Sequence, residues 1–258
     1  MSYPLLPDIS DLIVDHLHDE PTTLKACCTI SKSWVPRARR HLFARVEFYT
    51  HQSRFESWMK TFPDPSNSPA HHVRILMMVI GTPLTTAASP WIRAFHNVVS
   101  FHVDFSSTHS VSLVPFHGFS PSLRSLHLGA SFLPLSAAIN LLCSFSLLED
   151  LAIRPFHSEA ADRWTVPSTS PRLTGSLDLR NLEEGICFTA RRLLELPNGL
   201  HFTKIELACL NEADFKSAAD LVSRCSGTLE SLIVVDHSPG VFPSAPVSDA
   251  YLMAMLRV

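Results

Sequence analysis

Two histidines hold the same place in two similar segments. They are His102 in Val98-Val99-Ser100-Phe101-His102-Val103 and His127 in Leu123-Arg124-Ser125-Leu126-His127-Leu128. On adjacent strands the pair would stand about 4.8 Å apart, close enough to share a metal or a proton. A metal needs further ligands, and no third residue lines up with the two. The other histidines, among them His71, His72, His96, His109 and His117, are scattered. Cys27 and Cys28 could offer a thiol nucleophile, but their apolar, helical setting argues for burial. The remaining cysteines, at 143, 187, 209 and 225, form no Cys-x-x-Cys and no His/Cys zinc spacing. There is no Gly-x-Ser-x-Gly elbow, no phosphate-binding Gly-x4-Gly-Lys-Ser/Thr loop and no His-Glu-x-x-His. No catalytic residue, metal ligand or cofactor is assigned on this reading, and an enzyme with its own active site is not expected.

Composition narrows the classes further. Apolar residues make up 46% and charged residues 17%, enough for a sizeable core and too apolar for disorder. A net charge of −3 gives no general affinity for polyanions, so no nucleic-acid partner is expected. The one basic cluster, Arg37–Arg45, reads as a solvated helix face near a negative C-terminal end. Asp8 and Asp11 interrupt any signal-peptide apolar core, and no run reaches the roughly 18 apolar residues of a membrane span. Cysteines inside apolar patterns point to a reducing compartment, cytoplasm or nucleus.

The elements that would position the histidines repeat. Apolar segments are centred on Leu76, Phe101, Leu126, Leu151, Leu177, Ile205 and Leu232, at spacings of 25, 25, 25, 26, 28 and 27 residues. Each reads Leu-x-x-Leu-x-Leu and ends in the alternation of a short strand. Helical stretches lie between them at Pro90–His96, Ser136–Phe145, Thr189–Leu196 and Ala213–Cys225. Strand, turn, helix, turn at this period is the signature of leucine-rich repeats. One unit cannot bury its own apolar face, so units stack and the parallel strands line a concave surface. The fold class expected is therefore α/β. Outward strand positions are Met77, His102, His127, Ala152, Asp178, Glu206 and Ile233, flanked by Arg74, Ser100, Ser125, Asp150 and Ser231. Met77, His102, His127, Asp178 and Glu206 are the candidates for holding a bound protein. The side-chain ladder that usually ends the strand turn is missing, with Gly129, Arg154 and Arg180 in its place, so irregular turns are expected. The 154–172 connection is rich in Pro, Ser and Thr, with one helical turn expected near Glu159–Arg163. After a Pro-rich linker a last helix begins at Ser248 and carries Tyr251, Leu252, Met255 and Leu256. The apolar end reads as an incomplete repeat array.

Ahead of the repeats, Leu5–Phe48 predicts three short helices. Asp8 is a plausible cap, and Ile9, Leu12, Ile13 and Leu17 form one apolar face. Leu24, Cys27 and Cys28 form a second. Ser33 can cap a third, with Pro36 in its first turn and Trp34, Ala38 and Leu42 on one side. The order Leu6-Pro7, Ile9, Ile13, Leu17, Leu24, Ile30-Ser31, Trp34 and the Arg-rich run into Leu42-Phe43 resembles the F-box motif, as in fungal, mushroom-type F-box proteins with C-terminal leucine-rich repeats. It departs in two ways. Ile9 stands where an acidic residue is usual, with Asp8 one earlier, and Arg37, Arg39, Arg40 and His41 make the tail more basic. The resemblance implies docking onto the Skp adaptor of a cullin ubiquitin ligase through Leu6, Pro7, Ile9, Ile13, Leu17, Leu24, Ile30 and Trp34. The repeats would then hold an unknown protein substrate. The organisation expected is a helical domain over 1–48, a junction over 49–72 and a curved solenoid of about seven repeats over 73–258. In the junction, Val46–Tyr49 is a candidate first strand, and Phe55, Trp58, Met59 and Phe62 read as core. The alternative is a non-catalytic repeat scaffold whose N-terminal helices only cap the next core, with no ubiquitin-ligase role.

Overall fold

Among the described residues, apolar side chains at a period of two build eight strands. They are β1 (Arg45–Phe48), β2 (Ile75–Ile80), β3 (Ser100–Phe105), β4 (Ser125–Ala130), β5 (Asp150–Ile153), β6 (Ser176–Leu179), β7 (Lys204–Cys209) and β8 (Ser231–Asp236). They form one open, wholly parallel sheet in which spatial order equals sequence order. The computed structural model describes residues 7–48, 53–81, 88–105, 113–117, 119–130, 134–154, 165–180 and 186–236.

The seven predicted anchors make one continuous row. Leu76 pairs with Phe101, Phe101 with Leu126, Leu126 with Leu151, Leu151 with Leu177, Leu177 with Ile205 and Ile205 with Leu232. Val46 of β1 extends the row to eight, opposite Leu76. The sheet therefore begins at Arg45, inside the stretch that the sequence assigned to the helical domain. Alternate strand residues, such as Leu76, Met78 and Ile80 of β2, are buried in a single core, with Val46 of β1 and Leu232 and Val234 of β8 partly buried against it. That core is shared with α5 (Ser89–Ala94), α6 (Leu135–Cys143), α7 (Cys187–Leu194) and α8 (Glu212–Cys225). Burying one such side chain is worth roughly 1.5–3 kcal/mol, so the repeated row is the main stabilising feature of the sheet.

Backbone groups join successive repeats at the strand starts. The carbonyls of Ala44, Arg74, Val99, Arg124, Gly175 and Thr203 each accept from two consecutive amides at the start of the next strand, over 2.8–3.3 Å. Buried Ser120 adds hydrogen bonds from its hydroxyl to the carbonyls of His96 and Val98, and Thr228 donates to that of Phe202. Among the described residues, the segments that enter the strands are thus satisfied by backbone carbonyls and by different side chains from repeat to repeat. Gly129 falls within β4, where it is paired with Asp104, and not in a turn.

A separate small core lies N-terminal to the sheet. Val14, Leu24, Cys27 and Ala38 are buried together, with Leu17, Cys28, Trp34 and Leu42 packed against them. They come from α1 (Pro7–His16), α2 (Pro21–Ile30) and α3 (Val35–Leu42). Asp8 sits inside the first turn of α1 and is not its cap. Ser33 does not cap α3. Trp34 holds that position without a side-chain cap, while Ser33 is hydrogen-bonded to Ser31. The junction is aromatic. Trp58 of α4 (Ser53–Thr61) lies 4.8 Å from the Phe62 ring centroid, 5.7 Å from Phe48 and 5.8 Å from Phe95. The Phe48 pair is edge-on and the other two are tilted, and ring pairs at these distances add to plain burial. Leu5–Leu6, the helical turn expected near Glu159–Arg163 and the helix expected from Ser248 lie outside the described residues.

Candidate functional site

The first surface is built on α1. Its inward residues are Ser10, at 8% exposure, and Val14, at 0%. Ile9, Leu12 and Ile13 share the opposite side and are 43%, 68% and 38% exposed. The expected face of Ile9, Leu12, Ile13 and Leu17 is therefore split, with Leu17 alone turned to the small core. Ile30, at the end of α2, is 67% exposed. Among the residues expected to meet an adaptor, Ile9, Ile13 and Ile30 are accessible, Leu24 is wholly internal, and Leu17 and Trp34 are partly buried in the module's own core. Leu6 and the side chain of Pro7 lie outside the described residues. Leu12, the most exposed residue of the ridge, was not among the candidates, although the i, i+3, i+4 pattern already placed it beside Ile9 and Ile13.

The tilt of that ridge is fixed by charge. Asp15 of α1 takes the Arg37 guanidinium of α3 on both oxygens, with Nε at 2.6 Å from Oδ1, and His41 Nε2 lies 2.7 Å from the same Oδ1. The Arg37 hydrogen bonds, and then that of His41, hold the Asp15 carboxyl well below the ordinary carboxylate range. The basic residues of α3 thus divide: Arg37 and His41 clamp α1, while Arg39 and Arg40 are solvent-exposed.

The second surface is the side of the sheet that no described helix covers. Met77, His102, His127, Ala152, Asp178, Glu206 and Ile233 stand in one row across seven strands. The expected outward positions are thus brought together. The His102 and His127 rings are stacked, with centroids 3.8 Å apart and planes within 9°, closer than the strand spacing. Ser100 Oγ lies 3.2 Å from His102 Nε2. Burial, and then the neighbouring His127, push the His102 imidazolium down to about 4. Burial also lowers His127, with Asp178, Asp150 and Asp104 pulling the other way. Both rings are neutral at pH 7.

Beyond the rings the row turns ionic. Arg180 donates to both Asp178 oxygens, from Nε at 3.0 Å and Nη2 at 2.8 Å. Its Nη1 lies 2.7 Å from Glu206 Oε2, and Lys204 Nζ lies 2.5 Å from Glu206 Oε1. Burial raises the Asp178 carboxyl, but the Arg180 hydrogen bonds outweigh it and leave the group below its ordinary value. Asp150 Oδ1 accepts from the Ser176 amide at 2.6 Å and its hydroxyl at 2.8 Å. Asp150, Ser176, Asp178, Lys204 and Glu206, with His127, line a cleft of about 110 Å³ that also includes Ala152.

Sequence reasoning passed over Asp214. It is wholly buried and accepts from the amides of Ile186, Cys187 and Leu210 at 2.8, 3.3 and 3.0 Å, tying α7 to the start of α8. The Asn211-x-x-Asp214 spacing at a helix start was the available signal. All six cysteines are free, and burial pushes the Cys143 thiol up to about 11 and raises Cys225 as well, so neither is an activated nucleophile. Among the described residues no group of three or more His, Cys, Asp or Glu side chains is placed to hold a metal ion. Nor is any described helix long and apolar enough to cross a membrane. No protein-family model matches the chain, and no curated protein matches it in sequence.

Proposed function

We propose that the chain is the substrate-receptor subunit of a cullin-type ubiquitin ligase. In this reading α1–α3 form an F-box-like plug for the Skp adaptor, and the sheet with its helices is a leucine-rich-repeat solenoid that holds the substrate. The observation that carries it is the ridge of Ile9, Leu12 and Ile13. A module with its own core still presents three large apolar side chains to solvent on one helix face. Apolar residues gathered in this way mark docking surfaces, and a few central ones supply most of the binding energy. The order of residues from Ile9 to Phe43 supports the same identification. The open face of the sheet supplies a second surface, remote in sequence from the first, so one chain can hold two proteins. Its contribution is proximity and orientation, with no bond broken on it.

The test is co-purification with recombinant Skp adaptor. Wild-type chain should elute with it as a stoichiometric complex, and the Ile9→Asp, Ile13→Asp double variant should not, because two carboxylates in a desolvated interface cost well over the ~2 kcal/mol of a single hot spot. A chain that never elutes with the adaptor would be a plain interaction scaffold, its N-terminal helices serving only as a cap.

A further inference from the structure

We infer that the cleft above Ala152 is an anchor for one arginine side chain of the bound protein. The proposal rests on the reading of the open sheet face as the substrate surface, and it names what that surface recognises. The geometry begins with the stacked imidazoles. His102 and His127 occupy successive places in a row that runs across the strands, and the next place belongs to Ala152. Alanine puts no ring there, so the stack stops and a cleft of about 110 Å³ opens, with His127 on one side and Asp178 and Glu206 on the other. The volume suits a flat group of a few heavy atoms.

The charges select a cation. Asp150, Asp178 and Glu206 bring three carboxylates to the cleft, against the cations of Lys204 and Arg180. Glu206 is only 8% exposed, and Arg180 Nη1 meets its Oε2 at 2.7 Å, off hydrogen-bonding geometry. That ion-paired oxygen keeps a lone pair for one well-aligned N–H donor. Guanidinium meets both demands at once. Its plane can continue the imidazole stack, where a neutral ring offers no repulsion, and its edge donates toward the carboxylates. An ammonium can satisfy the charge but cannot stack.

The experiment titrates full-length, methyl-labelled protein with N-acetyl-arginine amide and follows the Ala152 methyl and His127 ring signals by NMR. The lysine and citrulline analogues serve as comparisons. Saturable shifts at both residues are expected with arginine, with affinity lower by about tenfold for lysine and lower still for citrulline, which has the shape without the charge. Ala152→Leu fills the cleft from the solvent side and should abolish the shifts. Glu206→Gln, nearly isosteric, should weaken binding by about tenfold. Thermal melts confirm that both variants fold. Absence of saturation, equal binding of lysine or citrulline, or indifference to Ala152→Leu in a folded variant would each overturn the proposal. The titration needs no adaptor and does not touch α1, so its failure is distinguishable from failure of the ligase reading.

Discussion

Single polar residues inside this molecule hold it together where no apolar pattern can. Asp214 satisfies three backbone amides with one carboxylate. Asp214→Ala would strand them, and it should cost about 3 kcal/mol in urea unfolding, with Asp214→Asn intermediate. An unchanged midpoint for the alanine variant would mean that the three amides find other partners. The stacked histidines give a prediction with a sign. A histidine whose folded pKa is depressed must be neutral to fold well. Its stabilising share is complete above its unfolded value of 6.5 and is lost as pH falls toward its folded value of about 4. The full shift corresponds to ~3 kcal/mol. The ring is partly exposed, and solvent screening reduces this to about 1 kcal/mol between pH 6.5 and 5. His102→Gln should flatten that slope, read as the difference in urea midpoint between variant and wild type. Such residues were hard to see in advance. The repeat made His102 and His127 neighbours on paper, but nothing in the alternation says that Asp214 or Ser120 is buried, because a lone polar residue leaves no period to read.

Helix faces show what periodicity can and cannot decide. Spacing of i, i+3, i+4 placed Ile9, Leu12 and Ile13 on one side of α1, and they are on one side. It did not say which side turns inward. That choice fell to Ser10 and Val14, because Val14 packs with Leu24, Cys27 and Ala38, and Asp15 is drawn to Arg37 and His41. Stability and docking should therefore separate. Leu24→Ala removes a fully buried side chain from a small core and should cost about 2–4 kcal/mol. Leu12→Ala, on the exposed ridge, should stay within about 0.5 kcal/mol of wild type and yet weaken the proposed complex with the adaptor. Thermal melts alongside adaptor titrations would check both, and a Leu12→Ala chain that loses stability would place that ridge in the protein's own core. Strands were more legible than helices. Their buried row recurs in every unit, so an error in one would have broken the register of the rest.

At the scale of the whole molecule, each strand is paired only with its neighbours in sequence, so stability is a chain of local junctions and the weakest can open first. That junction is β5–β6. Its register joins only Leu151 to Leu177 and Ala152 to Asp178, whereas β2–β3, β3–β4 and β7–β8 are each paired along the whole of two six-residue strands. The doubled amide contact at the strand start is also incomplete here: Glu149 O accepts from Gly175 N alone, and the Ser176 amide turns to the Asp150 side chain. A carboxylate thus substitutes for a carbonyl, and Gly175 makes room for it, since a Cβ at that position would collide with Asp150 Oδ1. The irregular spacing of 26 and then 28 residues on either side of Leu177 was the sequence trace of this break, but spacing alone carries no information on which bond replaces the missing one. Hydrogen exchange should show the amides of β6 opening well before those of β3 and β4. Asp150→Ala should widen the gap and divide urea unfolding into two steps, the strands up to β5 separating from β6–β8. One cooperative transition in that variant, with β6 protected as well as β3, would mean that the shared helical core couples the two halves more tightly than the sheet does.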